Sequence, residues 1–157
     1  VKKSEVHGMA QRGGCVTSHV SYGHKVYSPL EKAGSVNVLL SFEKMEVLRY
    51  LHYLDTESAI IVNSEKINPP AVNIGASHYP IDFISNLQKK FRLVQEIDAA
   101  TLAKKAGSIK TSNIVLLGAL SKLMNIDLKI WLKIIENSFP EKLVKMNIEA
   151  FQMGINT

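Results

Sequence analysis

At 157 residues, 46% apolar and 21% charged, the chain falls in the ordinary globular range and is long enough to bury a sizeable core. No run approaches the ~18 apolar residues of a membrane span, and the start lacks the apolar core and small-residue cleavage pattern of a secretory leader, so a cytoplasmic protein is expected. The net charge of +5 and pI near 9.3 invite a nucleic-acid reading, but Lys2-Lys3, Lys89-Lys90-Arg92, Lys104-Lys105, Lys142 and Lys145 are scattered among acids, and the aromatic residues do not interleave with them as stacking platforms.

The chain begins with its most distinctive stretch. Ser4 to Gly14 gathers Glu5, His7, Gln11, Arg12, Gly8, Gly13 and Gly14 into a turn-prone segment that no core could use. It reads as a polar loop feeding the alternating strand Val16 to Tyr22, and such loops are where sites are built. Gly8 to Gly13-Gly14 has the first spacing of a phosphate-binding loop but lacks its Lys-Ser/Thr, which excludes a nucleotide hydrolase. Arg12 beside two glycines offers a guanidinium fork and backbone N–H groups to a carboxylate or phosphate. The alternative is a tight turn in which Arg12 pairs with Glu5. Cys15 is the single cysteine. No internal disulfide is possible, and an iron-sulfur cluster needs about four thiolates. Cys15 is expected to be a small buried residue beside the turn.

Gly23-His24 suggests a hairpin from the first strand into Lys25 to Ser28, closed by Pro29. Val36 to Phe42 has the apolar character of a strand buried on both faces. A helix from Glu43 to Leu54 and a β-branched strand from Ala59 to Val62 complete a βαβ unit. Ile67 to Pro70 is a proline-broken loop, Ile81 to Phe91 a helix and Leu93 to Ile97 a short strand. Asp98 caps a helix that stops at Gly107. From Thr111 onward the pattern is helical. Ile114 to Leu120 is apolar on every side and must be enclosed. Leu128, Trp131, Leu132 and Ile135 form one buried face with Asp127 as N-cap, and Ser138-Phe139-Pro140-Glu141 has the form of a capping box ahead of the stripe Leu143, Met146, Ala150 and Phe151. The fold class is therefore α/β: a three-layer α/β/α sandwich with a mixed, mainly parallel sheet and a helical C-terminal part.

Among groups able to carry chemistry, His7 and His19 titrate near neutrality, but no metal-ligand spacing such as H-E-x-x-H occurs. Hydrogen bonding to a neighbouring subunit is the favoured role for both. Glu43 and Asn63 close two parallel strands at the carboxyl edge, where ligands bind in such sheets, and helix capping is the equal alternative. Ser18 and Ser28 lack a Gly-x-Ser-x-Gly elbow.

Glu5-Val6-His7-Gly8-Met9-Ala10-Gln11-Arg12-Gly13-Gly14 followed by Val16-Thr17-Ser18-His19-Val20 resembles the signature of the gamma-type domain of 2-oxoacid:ferredoxin oxidoreductases, most closely the indolepyruvate ferredoxin oxidoreductase beta-subunit family. Ser28-Pro29-Leu30, Leu39 to Glu43, Glu46 with Leu48-Arg49-Tyr50, Ile61-Val62-Asn63, Pro69, Tyr79-Pro80, Asn113 to Gly118, Asn147, Ala150-Phe151 and Gly154 follow in that family's order, so the resemblance covers essentially the whole chain. It departs at Ser21, where the family has Arg, and at Asn37, where it has Asp. The family also opens with a Gly-x-Gly-Gly-Gln-Gly strand-turn-helix ahead of the point matching Val1, so residues 1–157 are expected to be a single gamma-type catalytic domain without that first unit.

The resemblance implies a non-redox subunit, inactive alone, that contributes to oxidative decarboxylation of an aryl 2-oxoacid such as indolepyruvate to aryl-acetyl-CoA, with electrons passed to ferredoxin. Pyruvate, 2-oxoglutarate or branched 2-oxoacids are alternative substrates, and a stand-alone nucleotide- or ligand-binding module is the alternative of a different class. The chain lacks the Gly-Asp-Gly element that holds thiamine diphosphate and its magnesium. That cofactor, the magnesium and the iron-sulfur clusters are therefore expected on a larger partner subunit, with coenzyme A as co-substrate. A homodimer is a further possibility, and neither nucleic acid nor membrane is an expected partner. His7, Gln11, Arg12, Gly13, Gly14, His19, Glu43 and Asn63 are the expected pocket lining or subunit interface, with no catalytic nucleophile among them.

Overall fold

The computed structural model describes residues 1–8 and 15–157. Its elements run β1 (Lys2–His7), β2 (Val16–Ser21), β3 (Val36–Ser41), α1 (Glu46–Tyr50) with a 3₁₀ turn at Leu51–Tyr53, β4 (Leu54–Asn63), α2 (Pro70–Asn73), α3 (Phe83–Lys90), β5 (Leu93–Ile97), α4 (Ala99–Ala106), a second 3₁₀ turn (Ile109–Thr111), α5 (Ser112–Ser121), α6 (Leu128–Ser138) and α7 (Glu141–Ile155).

Two sheets are formed among the described residues. β3, β4 and β5 make a wholly parallel sheet in that order, with Leu39 opposite Ile60 and Ile60 opposite Val94. β1 and β2 form a separate antiparallel ribbon, Lys2 opposite Ser21 through His7 opposite Val16. The central strand explains the layering. Ala59, Ile60, Ile61 and Val62 are fully buried, and strand periodicity sends alternate residues to opposite faces. Ile61 joins Ile97 beneath α4, α5 and α7, with Ala103, Val115, Leu116 and Phe151. Ile60 and Val62 join Val94 on the other face, against Val47 of α1 and Ile84 and Leu87 of α3. Each such aliphatic side chain contributes about 1.5–3 kcal/mol by leaving water. Helices thus cover both faces of this parallel sheet.

Several elements follow the chain's own signals. Asp98 caps α4, accepting the Thr101 amide at 2.9 Å, and Gly107 ends that helix at φ 120°. Asp127 likewise accepts the Lys129 amide at 2.8 Å. The all-apolar α5 is enclosed by the chain itself, with Ile114, Val115, Leu116 and Ala119 buried between the sheet and α7.

Four expectations are corrected. The partner of β2 is β1, not Lys25 to Ser28. Ser4 to His7 is therefore strand rather than loop, and the ribbon closes through the Gly8 amide on the Cys15 carbonyl at 2.9 Å. Residues 25–28 instead run into a local turn in which Ser28 Oγ accepts the Leu30 amide at 3.1 Å. The helix expected over Glu43 to Leu54 is shorter, because β4 reaches back to Leu54 through a register irregularity between Val36 and Val38. The buried Ser58 fills that irregularity, its hydroxyl donating to the Val36 carbonyl at 2.7 Å and accepting the Asp55 amide at 3.0 Å. No capping box forms at Ser138. It ends α6 and donates to the Ile134 carbonyl at 2.6 Å, the backward bond open to any helical serine. α7 starts instead from Pro140, whose restricted φ suits a helix entry. Leu128, expected on the buried face of α6, is 47% exposed because it is the first residue of that helix and has no turn before it to pack on.

α5 and α7 pack closest at two glycines. A Cβ at Gly118 would run into the Phe151 carbonyl, and one at Gly154 into the Val115 carbonyl. Each glycine costs about 1 kcal/mol in a helix interior, a cost offset by the close approach it permits. Gly118→Ala and Gly154→Ala should each therefore destabilise the chain by about 3 kcal/mol in urea unfolding, whereas Gly23→Ala, with open space around it, should stay within about 0.5 kcal/mol. Equal midpoints for the three variants would contradict this packing.

Candidate functional site

A cleft of ≈ 1370 Å³ lies between the ribbon and the main sheet. One side is the consecutive run Cys15–Tyr22 around β2, and another is Ser35–Glu43 around β3. α1 and its 3₁₀ turn add Arg49, Tyr50 and Tyr53, while Leu120, Leu123, Met124 and Trp131 contribute an apolar part from the helical layer.

The ribbon is fastened across this cleft by side chains of its inner face. Thr17 hydrogen-bonds the Tyr50 hydroxyl. Ser21 donates to Glu31, and Ser35 reaches the other oxygen of Glu31 at 3.0 Å. These two hydroxyls, with a further contribution from His19, hold the Glu31 carboxyl below the usual range. An uncharged hydroxyl thus serves Glu31 at the position where the resemblance has Arg. His19 stands edge-on to Tyr53 with ring centroids 5.2 Å apart, and Tyr53 stacks on Tyr50 at 6.5 Å.

The expected site residues do not converge. Strand pairing puts Ser4, Val6, Thr17, His19 and Ser21 on one face of the ribbon, and Lys3, Glu5, His7, Val16 and Ser18 on the other. His19 faces the cleft with the tyrosines, while His7 lies on the opposite face, paired with Glu5 at 3.5 Å. Glu5 also meets Lys3 at 2.6 Å. Gln11, Arg12, Gly13 and Gly14 lie outside the described residues. Cys15, expected to be buried, is exposed, because it opens a two-stranded ribbon with few neighbours. Its Sγ lies 3.5 Å from Tyr50 Oη and 3.6 Å from Glu46 Oε2.

Glu43 and Asn63 do stand at the carboxyl edge of adjacent parallel strands, and both are buried. Their polar atoms are engaged with the protein itself. Glu43 Oε2 accepts the amide of Glu46, the first residue of α1, at 2.9 Å, and Oε1 accepts the Ile67 amide at 3.1 Å and the Tyr79 hydroxyl at 2.6 Å. Asn63 donates to the Phe42 carbonyl at 3.1 Å and to Glu65 at 3.2 Å, while accepting the amide of Ala99, which starts α4, at 3.3 Å. Both therefore tie strand ends to helix starts.

Three residues of this region, Tyr50, Tyr53 and Tyr79, lie outside the expected site set. Tyr50 and Tyr53 had a usable signal, since i and i+3 share a helix face. Tyr79 was marked only by the resemblance, in Tyr79-Pro80, and its partner Glu43 lies far away in sequence. Among the described residues no group of three or more His, Cys, Asp or Glu is placed to hold a metal ion. Among the described residues, no helix is long and apolar enough to cross a membrane.

Comparison with known proteins matches residues 1–157 to the family described as pyruvate ferredoxin/flavodoxin oxidoreductase. The chain is 36% identical over 165 residues to the indolepyruvate oxidoreductase subunit IorB of Thermococcus kodakarensis, covering 99% of this chain and 79% of that protein. The IorB subunits of Pyrococcus horikoshii and Archaeoglobus fulgidus are also 36% identical, with the same coverage. Among solved structures, the gamma subunit of a keto/oxoacid ferredoxin oxidoreductase from Geobacter sulfurreducens superposes with a TM-score of 0.64 at 21% identity, covering 99% of this chain and 78% of that one. That similarity shows the shared fold.

Burial first, and then the Glu43 carboxylate, push the Tyr79 phenol above its ordinary range. An unfolded tyrosine ionises near pH 10, so above about pH 10 the unfolded chain releases this proton before the folded chain does, and stability falls as pH rises. Tyr79→Phe should cost about 1–2 kcal/mol at neutral pH, because a buried oxygen of Glu43 loses a donor, and it should flatten the alkaline loss of stability. Urea unfolding at pH 7 and pH 11 measures both. An unchanged alkaline slope would refute the contact.

Proposed function

The chain belongs to the pyruvate ferredoxin/flavodoxin oxidoreductase family, and from that premise we propose that it is the non-redox subunit of a complex oxidising an aryl 2-oxoacid, indolepyruvate being the typical case. In the overall reaction the 2-oxoacid loses carbon dioxide, its acyl carbon is captured by the thiol of coenzyme A, and two electrons leave singly on ferredoxin. The observation that carries this reading is the family match along the whole chain together with 36% identity to the indolepyruvate subunits over 99% of it.

The chain's own residues do not fit the redox groups such chemistry requires. One cysteine cannot supply the roughly four thiolates of an iron-sulfur cluster, and no Gly-Asp-Gly element is present to hold a thiamine diphosphate magnesium. We assign those groups to a larger partner subunit. What this chain contributes is a wall. In this reading residues 1–157 act as one gamma-type domain, and the segment from His7 to His19 forms polar lining or subunit interface. Arg12, flanked by Gln11, Gly13 and Gly14, supplies a cation for a carboxylate or for the phosphates of coenzyme A. His19 is the described member of this set that faces the cleft, whereas Glu43 and Asn63 support it by fixing the strand ends.

Two measurements test the proposal. Co-expressed with the large subunit of an indolepyruvate oxidoreductase, the chain should co-purify in constant ratio with protein that carries thiamine and iron; elution of the chain alone at every salt concentration would contradict it. In the assembled complex, Arg12→Ala should reduce turnover at least about tenfold, in keeping with loss of a charge-assisted contact, while the circular dichroism of the chain stays unchanged. Wild-type turnover would remove Arg12 from the lining.

A further inference from the structure

The longest run of the chain without an Asp, Glu, Lys or Arg does not lie in its core. It is the fifteen residues 67–81, between Lys66 and Asp82. None of them is buried and eleven are exposed, with Ile67 at 62%, Ile74 at 78% and Ile81 at 80%. These three isoleucines join neither core cluster, so the packing of the chain on itself does not account for them. Surface segments ordinarily carry a chain's charge. Loss of charge with apolar side chains left in water is instead the composition found at the centre of protein–protein interfaces.

The segment is also held in one shape. A single oxygen of the buried Glu43, Oε1, accepts the Ile67 amide at 3.1 Å and the Tyr79 hydroxyl at 2.6 Å, which closes residues 67–79 into a loop. Lys66 adds a second closure, its Nζ 5.6 Å from the centre of the Tyr79 ring. Inside the loop the Ala71 carbonyl accepts the Ala76 and Ser77 amides at 2.9 and 3.1 Å, around Gly75 at φ 74°. A compact loop with joined ends presents its outward side chains without the ordering cost that a flexible segment has on binding.

Its place in the fold indicates what covers it. The loop follows the carboxyl end of β4, and Ile67, Asn68, Pro69 and Pro70 line the cleft together with Phe42, which follows β3 and is 54% exposed. Phe42 directly precedes Glu43, the residue that closes the loop, so apolar surface continues from the loop onto the carboxyl edge of the sheet. A chain resting there reaches the edge at which ligands bind in such sheets. We infer that residues 67–81, with Phe42, are the docking surface for the larger, cofactor-bearing subunit, and that the face they meet is apolar and uncharged. These sixteen residues are more than half of the roughly 20–30 on one side of a stable interface. The inference rests on the reading of this chain as the non-redox subunit.

The test is binding to the co-expressed large subunit of an indolepyruvate oxidoreductase, comparing the wild-type chain with Ile74→Glu, Ile81→Glu and, as a control, Ile134→Glu. Ile134 is 55% exposed but lies on α6. All three changes are at the surface, and circular dichroism should match the wild type in each. A carboxylate placed in an uncharged contact loses its water without gaining a partner. Each loop variant should therefore bind at least about thirtyfold more weakly, while Ile134→Glu binds as the wild type does. In the wild-type complex, amide exchange within residues 67–81 should slow at least about tenfold. A wild-type complex whose loop amides exchange unchanged, or loop variants that bind no more weakly than Ile134→Glu, would overturn the inference and leave the subunit reading standing. Failure of the wild-type chain to bind would overturn both. Loop variants that abolish self-association of this chain yet leave the complex intact would make a second copy the occupant and overturn the inference too.

Discussion

The crossing of α5 and α7 at Gly118 and Gly154 is the constraint on which the remaining architecture depends. With no Cβ at either glycine, the two backbones approach closely enough for Phe151 and Val115 to be fully buried beside them. This contact holds α5 against the sheet through Ile61 and Ile97. α5 ends at Ser121, and the residues just past that end, Leu123 and Met124, join Leu120 and Trp131 in lining the cleft. Trp131 reaches that position while packing on Phe151, with ring centroids 5.9 Å apart.

The opposite arrangement holds at the carboxyl edge of the parallel strands. In open α/β sheets this edge is where ligands usually bind, yet Glu43 and Asn63 spend their hydrogen-bonding capacity on the starts of α1 and α4, on Ile67 and on Tyr79. A buried carboxylate with three donors is costly to disturb, so these side chains stabilise the frame. The ribbon instead carries His19 on one face and His7 on the other. A two-stranded ribbon has little stability of its own, and this one is fixed by hydroxyl contacts of Thr17 and Ser21. Such an element suits a subunit whose surroundings are completed by another chain.

Much of the fold was legible in the sequence wherever one short-range signal decided the outcome. Asp98 and Gly107 bounded α4, the apolar runs marked β3 and β4, and Leu93 to Ile97 was recovered as β5 to the residue. Failures occurred where a distant partner decided. Lys25 to Ser28 had as good a local claim to be the partner of β2 as Lys2 to His7, and pairing along the full strand selected the latter. The short α1 depends on Ser58 reaching back to Val36, and no local pattern announces that. At Ser138 the capping-box pattern was present, but the preceding helix claimed the hydroxyl. The candidate site was less legible than the fold. Family resemblance drew attention to His7 and His19 together, whereas strand alternation separates them, and Tyr79 meets Glu43 only through tertiary structure.

We propose that this chain shapes a reaction it cannot perform alone. The most direct measurement is 2-oxoacid-dependent reduction of ferredoxin, assayed with this chain, with the large subunit and with both together, in the presence of coenzyme A. Reduction is expected only from the combination, faster with an aryl pyruvate than with pyruvate. Reduction by this chain by itself, or undiminished reduction by the large subunit without it, would contradict the claim.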